Sequence, residues 1–132
     1  MMAQEVNVPQ TSSCGRLFDA VSALVGLREV VNYEAQAAIE LEMAIADSDS
    51  EVSYPIDLNL RDGIWLVDTK RLFQAIVSDL ENETPVAAIS QRFHNGLVLA
   101  FHELAQLLRQ ASGLNRVCLS GGTFHNVYLL TG

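Results

Sequence analysis

The sequence has few cysteines, few basic residues and no long apolar run, and each shortage excludes a class of protein. Its two cysteines, Cys14 and Cys118, lie far apart and match no zinc or redox spacing, so we expect a reducing, cytoplasmic setting. Eight lysines and arginines against 16 acidic residues give a net charge of −8, which argues against nucleic acid as a partner. No apolar stretch could cross a membrane, and residues 1–10 lack the basic and apolar regions of a secretory signal.

The length and composition indicate a single globular domain. The chain has 132 residues, of which 49% are hydrophobic and 18% charged, so it can form a packed core. We treat residues 1–132 as one partial domain in which residues 1–14 form an extended lead-in. Because nothing follows the apolar run from Val127 to Leu130 to cover it, we expect the chain to be part of a larger protein or to need a partner.

Apolar residues recur at helical spacing in four segments. The spacing predicts helices from Gly15 to Gly26, from about Tyr33 to Ala46, from Asp68 or Thr69 to about Glu81, and from Thr84-Pro85 to about Ser112-Gly113. In the first helix the apolar face is predicted to consist of Leu17, Val21, Leu24 and Val25. In the longest helix, Thr84 is the predicted N-cap and Pro85 the first helical residue.

Two segments are predicted to form strands. Residues 54–68 alternate on both sides of Arg61-Asp62-Gly63, which is typical of a β-hairpin. Val117-Cys118-Leu119 is predicted to be a short buried strand, and a helical segment is predicted to follow Ser120-Gly121-Gly122. The predicted fold class is therefore α+β and mainly helical.

The turn Ser120-Gly121-Gly122 is the strongest candidate site. Two glycines let a ligand approach the backbone, and free N–H groups of a following helix would suit a phosphate or carboxylate. The turn lacks the lysine of a P-loop, and from the pattern alone an ordinary tight turn is the preferred interpretation. Asn126, one turn further on, would face either the same cleft or solvent.

Other polar residues give weaker signals. Asp19 and Glu34 are predicted in the first turns of their helices, where interaction with the helix dipole is the preferred explanation and binding of sugar hydroxyls the alternative. His94 and His102 are eight residues apart, about 12 Å on a helix, too far to share a metal, and His94 is predicted to be a core or interface histidine. The pattern identifies no metal site and no catalytic residue.

Four blocks of sequence nevertheless resemble one known family. They are Thr11-Ser12-Ser13-Cys14-Gly15-Arg16-Leu17-Phe18-Asp19-Ala20-Val21, Asn32-Tyr33-Glu34-Ala35-Gln36-Ala37-Ala38-Ile39-Glu40-Leu41-Glu42, Ile89-Ser90-Gln91-Arg92-Phe93-His94 and Val117-Cys118-Leu119-Ser120-Gly121-Gly122-Thr123-Phe124-His125-Asn126. Their order and spacing resemble HypF, the hydrogenase maturation carbamoyltransferases. The resemblance implies the C-terminal part of the Kae-like domain of that family, which has the actin-like ATPase fold (ASKHA) shared with tRNA threonylcarbamoyladenosine synthases.

The resemblance also implies a reaction. In the family, an N-terminal acylphosphatase domain hydrolyses carbamoyl phosphate and a YrdC-like domain uses ATP to make carbamoyl-adenylate. The Kae-like domain then passes the carbamoyl group to the C-terminal cysteine of the partner HypE. By this likeness Ser120, Gly121 and Gly122 would bind the phosphate and Asp19 the ribose, while Asn126 would reach the base and Glu34 would line the pocket.

Three departures from the family pattern limit this expectation. Ala35 stands where the family usually has glycine, and His125 where it usually has glutamine. The family's metal ion, zinc or iron, is expected to have no ligands in this chain, because its histidine pair lies in the preceding half of the domain. We therefore expect part of a nucleotide site that is inactive alone.

Two alternatives remain. The chain could be a stand-alone helical binding or dimerisation module, or a related carbamoyl-transferring protein such as an O-carbamoyltransferase or a tRNA-modifying synthase. The strings Gly15-Arg16-Leu17-Phe18-Asp19 and Asn32-Tyr33-Glu34 favour HypF. Because its missing parts would cover apolar surface, we expect the chain by itself to self-associate.

Overall fold

A computed structural model of the protein describes residues 13–27, 30, 32–33, 35–45, 47 and 50–132. The described residues form five α-helices, one two-stranded antiparallel sheet and one 3-10 turn. In chain order these are α1 (Cys14–Leu24), α2 (Gln36–Met43), β1 (Asp57–Arg61), β2 (Ile64–Asp68), α3 (Lys70–Glu81), α4 (Val86–Ser112), the 3-10 turn (Gly122–His125) and α5 (Val127–Thr131). The prediction of a mainly helical α+β chain with one hairpin is confirmed. Of the predicted extended lead-in over residues 1–14, residues 1–12 lie outside the described residues, and the prediction is wrong at Cys14, which is the first residue of α1.

The core lies where α1, α2 and α3 pack against the first half of α4. Phe18 of α1 meets Phe93 of α4 edge to face, with ring centroids 5.1 Å apart. The other large buried side chains come from all four helices: Val21, Leu41, Leu72, Ile76, Ile89 and Leu97. Removal of this apolar surface from water is the main stabilising term of the fold.

Most of the predicted helix boundaries are correct to within a residue or two. α1 ends before Gly26, whose φ of 77° reverses the chain, and α4 ends at Gly113 with φ of 73°. In α1, Val21 and Val25 are buried as predicted, but Leu24 is exposed and Phe18 takes its place in the core.

α2 is shorter than predicted. It begins at Gln36 and not at Tyr33, because Ala35 adopts a left-handed conformation with φ of 61° and ψ of 10°. It ends at Met43, and Ala46 lies outside the described residues.

The start of α4 also differs from the prediction. Thr84 does not cap the helix; its backbone amide donates to the backbone carbonyl of Asp79 at 2.9 Å, and Pro85 occupies the N-cap position with extended backbone. The amides of Ala88 and Ile89 donate to the Pro85 carbonyl oxygen at 3.0 and 3.1 Å. Helical geometry therefore starts one residue later, at Val86.

The predicted strand Val117-Cys118-Leu119 is wrong. Residues 113–120 have no regular structure and are all exposed, with Val117 at 67% of its maximum. A strand needs a hydrogen-bonded neighbour, and among the described residues β1 and β2 pair only with each other. The helix predicted after the glycine turn is present but interrupted, since the 3-10 turn ends at His125 and α5 begins at Val127, with Asn126 between them.

Candidate nucleotide site

A cleft of about 920 Å³ opens between α1, α2 and the 3-10 turn. Three parts of the chain that are distant in sequence supply its walls. Its polar lining consists of Ser13, Arg16, Asp19, Asn32, Tyr33, Glu42, Thr123, His125 and Asn126. This volume is within the range of pockets that bind small molecules and cofactors.

The cleft brings together three of the six residues predicted to contact a ligand. Asp19, Gly122 and Asn126 all line it, although more than 100 positions separate the first from the last. Ser120 and Gly121 are exposed and precede this wall without lining it. Glu34 lies outside the described residues.

The carboxylate of Asp19 has a partner within the chain. Arg16 donates to it from Nη1 at 3.3 Å, one turn away on α1. Because α1 begins at Cys14, Asp19 lies in its second turn, so the predicted position in the first turn is wrong. Interaction with the helix dipole fades beyond the first turn and does not explain this acid.

The glycine turn leaves open space for a ligand. A β-carbon on Gly122 would have no atom of the chain within 4 Å, and Gly122 lines the cleft. Gly121 has φ of 92°, a conformation that residues with a side chain rarely adopt. One glycine is therefore required by the turn, and the other keeps a wall of the cleft free of side-chain atoms.

Asn126 connects the cleft to the core. Its Oδ1 accepts the amide hydrogen of Leu129 at 3.0 Å and so caps α5. Its Nδ2 lies 3.0 Å from Nε2 of His94, which is fully buried. The prediction of His94 as a satisfied core histidine is confirmed.

A line of hydrogen bonds continues from His94 into α2. Nδ1 of His94 donates to the backbone carbonyl of Ser90 at 2.8 Å, and the Ser90 hydroxyl donates to the backbone carbonyl of Leu41. Burial lowers the pKa of His94, although the Ser90 carbonyl and the charge of Glu42 act in the opposite direction.

Glu42 is a site residue that the sequence pattern missed. It lies in the last turn of α2. Its Oε1 accepts the amide hydrogens of Val127 at 2.8 Å and Tyr128 at 3.3 Å. These partners are 85 and 86 positions away, and no local pattern could have indicated them.

The two cysteines do not form a nucleophile at this site. Burial raises the pKa of the Cys14 thiol, and the opposing hydrogen bond with Thr123 does not outweigh it. A thiol with a raised pKa is protonated, and so unreactive, at neutral pH. Cys118 is exposed, and both thiols are free.

The described side chains do not fit a metal. In the part of the chain that the structure describes, no three His, Cys, Asp or Glu residues cluster closely enough to hold an ion. Both ring nitrogens of His94 are occupied by hydrogen bonds.

None of the described helices is both long and apolar enough to span a membrane.

Comparison with known proteins decides the family. A family model described as "Carbamoyltransferase, Kae1-like Domain, second subdomain" matches residues 1–132. The chain belongs to this carbamoyltransferase family. The structure also matches the crystal structure of full-length HypF in the phosphate- and nucleotide-bound form, with a TM-score of 0.83 and 42% identity over 90% of this chain and 18% of that one.

Curated relatives agree with this membership. Carbamoyltransferase HypF of Synechocystis sp. is 40% identical over 96% of this chain, and that of Rhodobacter capsulatus is 35% identical over 99%. The chain spans only 16% of the length of each of these two relatives. The chain therefore matches one part of these relatives, and the family model describes that part as the second subdomain of the Kae1-like domain.

Proposed function

We propose that this chain forms one wall of the nucleotide site in a full-length HypF-type carbamoyltransferase. The whole enzyme would use carbamoyl phosphate and ATP to make carbamoyl-adenylate in the cytoplasm. It would then transfer the carbamoyl group to the C-terminal cysteine of HypE during maturation of nickel–iron hydrogenase. Residues 1–132 would be a single part of its Kae-like domain.

The observation that carries this proposal is the convergence of Asp19, Gly122 and Asn126 on one cleft. The open backbone at Gly122 suits the close approach of a phosphate group, as expected for a glycine that faces an anion. The crystallised HypF with which this chain shares 42% identity is a phosphate- and nucleotide-bound form.

The charges around the cleft favour a particular orientation of the nucleotide. The Arg16 guanidinium lines the cleft and would attract a phosphate, and the Asp19 carboxylate, which pairs with it at 3.3 Å, can accept hydrogen bonds from ribose hydroxyls. Ser120 and Gly121 would support the turn from outside the cleft, and Gly121 would do so through its left-handed backbone. In this arrangement the amide of Asn126 would lie toward the base.

The described residues of this chain would supply a binding surface, and the structure identifies no reacting group among them. The zinc or iron expected in the full-length family has no ligand cluster among the described residues of this chain. The described residues of this chain would hold and orient the adenylate, and the acceptor thiolate would come from HypE.

Gly122→Val in the full-length enzyme tests the proposal most directly. The added side chain meets no atom of the chain, and position 122 has no left-handed backbone to strain, so the fold should survive while the ligand space is filled. Carbamoylation of the HypE cysteine, measured by mass spectrometry, should fall by at least a hundredfold. Hydrolysis of carbamoyl phosphate by the acylphosphatase domain should continue at the normal rate.

Two further variants frame the result. Asp19→Ala should weaken adenylate binding by about 1.5–3 kcal/mol, the range for a hydrogen bond to a charged group. His102→Ala changes an exposed residue of α4 outside the cleft and should leave transfer unchanged. Normal transfer by Gly122→Val would show that this turn does not contact the nucleotide.

A further inference from the structure

His94 is enclosed by aromatic rings directly beneath the cleft. The ring centroids of Phe18, Phe93 and Tyr128 lie 5.4 to 5.6 Å from that of the imidazole, and each pair meets edge to face. No part of His94 is exposed, so no ligand can touch it without a rearrangement of the core. Any influence of His94 on the cleft must therefore pass through a neighbour.

The hydrogen bonds of His94 define its tautomer. A backbone carbonyl can only accept, so the 2.8 Å contact between Nδ1 and the Ser90 carbonyl oxygen requires a hydrogen on Nδ1. In the neutral ring Nε2 then carries a lone pair. At 3.0 Å this lone pair accepts a hydrogen from Nδ2 of Asn126.

A second, independent bond fixes the same amide. Oδ1 of Asn126 accepts the amide hydrogen of Leu129 at 3.0 Å, and an amide N–H can only donate. Both bonds therefore require the same orientation of the Asn126 amide, with its oxygen toward Leu129 and its nitrogen toward His94. In the part of the chain that the structure describes, no group accepts the second hydrogen on Nδ2, and Asn126 lines the cleft.

We infer that His94 is a positioning residue that makes Asn126 present a hydrogen-bond donor, and not an acceptor, to the ligand in the cleft. A flipped amide would set its oxygen against the lone pair of His94 Nε2 and its NH₂ group against the N–H of Leu129. The site would therefore select a ligand that places an acceptor, such as a ring nitrogen or carbonyl oxygen of a nucleobase, beside Asn126. This inference rests on the proposed nucleotide site.

A simpler role for His94 is to fill the core. Loss of packing alone would affect every substitution of His94 in proportion to the lost stability. The positioning role predicts a different order, because it depends on whether an acceptor remains beside Asn126. Glutamine can place its amide oxygen where Nε2 of histidine lies, whereas the shorter asparagine reaches only the position of Nδ1.

The test compares His94→Gln with His94→Asn in the full-length enzyme. Labelling of the cleft by the photoreactive probe 8-azido-ATP, quantified on peptides that cover residues 13–45 and 113–132, separates this site from any other ATP site. His94→Gln should keep half-saturation within about threefold of the wild type. His94→Asn should raise it about tenfold or more, the loss expected for one hydrogen bond worth about 1.4 kcal/mol.

Matched controls use His102, an exposed residue of the same helix. His102→Gln and His102→Asn should both label like the wild type. Hydrogen exchange in α4 should show similar losses of protection for the two His94 variants, because both lose the aromatic packing. Equal labelling by His94→Gln and His94→Asn would overturn the inference.

Two more results keep the inference distinct from the proposed function. If Asp19→Ala and Gly122→Val weaken labelling while the two His94 variants behave alike, the cleft binds nucleotide and the positioning role is wrong. If none of the four variants changes labelling, the nucleotide site itself is wrong, and the inference with it. Should the His94 variants not fold, ¹⁵N-histidine NMR of the wild-type enzyme decides, since a hydrogen on Nε2 would overturn the inference and one on Nδ1 would support it.

Discussion

The backbone carbonyl oxygen of Tyr54 lies 2.6 Å from the position that a β-carbon on Gly96 would occupy. The Tyr54 amide donates to the backbone carbonyl of Arg92 at 3.0 Å, and Asn95 Nδ2 donates to the carbonyls of Ser50 and Val52 at 2.9 Å. The segment before β1 therefore lies directly on α4. Only a residue without a side chain permits this approach at position 96.

Gly96→Ala should loosen this contact. The methyl group would overlap a backbone atom that cannot rotate away, and overpacking of this kind costs about 1–3 kcal/mol. We expect faster hydrogen exchange in residues 50–56 and in the middle of α4 of the full-length enzyme. Gly15→Ala is the control, because its β-carbon would meet Ser13 Oγ at an ordinary 3.5 Å. Unchanged exchange in Gly96→Ala would contradict the close contact.

Asp79 joins the same segment to α3 and α4 from the other side. Its Oδ2 accepts from the Tyr54 hydroxyl at 2.5 Å and from Arg92 Nη1 at 2.6 Å, and its side chain is 18% exposed. Burial raises the pKa of Asp79, but the hydrogen bonds from Tyr54 and Arg92 outweigh this and hold the pKa below its usual value. Burial and the bond to Asp79 raise the pKa of Tyr54.

Asp79→Asn should therefore destabilise the contact between α3 and α4. Loss of a charged acceptor with two partners costs about 1.5–3 kcal/mol, which should appear as faster exchange in residues 70–96. Asp57→Asn is the matched control, because the ion pair of Asp57 with Arg71 at 3.0 Å is mostly exposed and such pairs contribute about 0–1 kcal/mol. Equal effects of the two substitutions would show that burial does not strengthen the Asp79 bonds.

Local signals made the hairpin and the two long helices predictable. Asp62 and Gly63 have φ of 51° and 78°, the left-handed pair that a type I′ hairpin turn needs, and Asp-Gly is one of the dipeptides that adopt it readily. α3 and α4 carry apolar residues at helical spacing over 12 and 27 residues, long enough for the period to be read.

Features that depend on distant partners could not be predicted in this way. Residues 117–119 have the composition of a buried strand, but no described strand lies beside them, so they have no regular structure and are exposed. The bonds of Glu42 to α5 and of His94 to Asn126 span 85 and 32 positions. The sequence around each of these residues is equally compatible with a surface position and with a core position, so it does not indicate the distant partner.

Ala35→Gly should stabilise the start of α2. Ala35 has φ of 61°, a left-handed conformation that costs a residue with a β-carbon about 1–2 kcal/mol. Glycine avoids this cost, although it loses more backbone entropy on folding, which costs about 0.5–1 kcal/mol. We expect a net gain of about 0.5–1 kcal/mol, measured as slower hydrogen exchange in residues 36–43. Ala20→Gly, in the regular part of α1, should instead lose about 0.5–1 kcal/mol. A loss of protection in Ala35→Gly would show that packing of the Ala35 side chain stabilises α2 by more than the left-handed backbone costs.

His94 should make the stability of the cleft floor depend on pH. Its pKa is lowered in the fold by burial, so between the folded value and the ordinary value of 6.5 the unfolded chain binds more protons than the folded one. The stabilisation is therefore complete above about pH 6.5 and is lost as the pH falls below it. The titratable groups that face the ring are Glu42 of α2 and Tyr128 of α5, while Phe18 of α1 carries no charge.

The measurement is hydrogen exchange in α4 and α5 of the full-length enzyme between pH 8 and pH 5, corrected for the intrinsic effect of pH on exchange. In the wild type, protection from exchange should decrease as the pH is lowered from 8 to 5. In His94→Gln, whose side chain does not titrate, protection should stay nearly constant. His102→Gln, which removes an exposed histidine from the same helix, should follow the wild type. Equal slopes for the wild type and His94→Gln would place the pH dependence elsewhere, since the buried imidazole would then bind its proton as readily in the fold as in the unfolded chain.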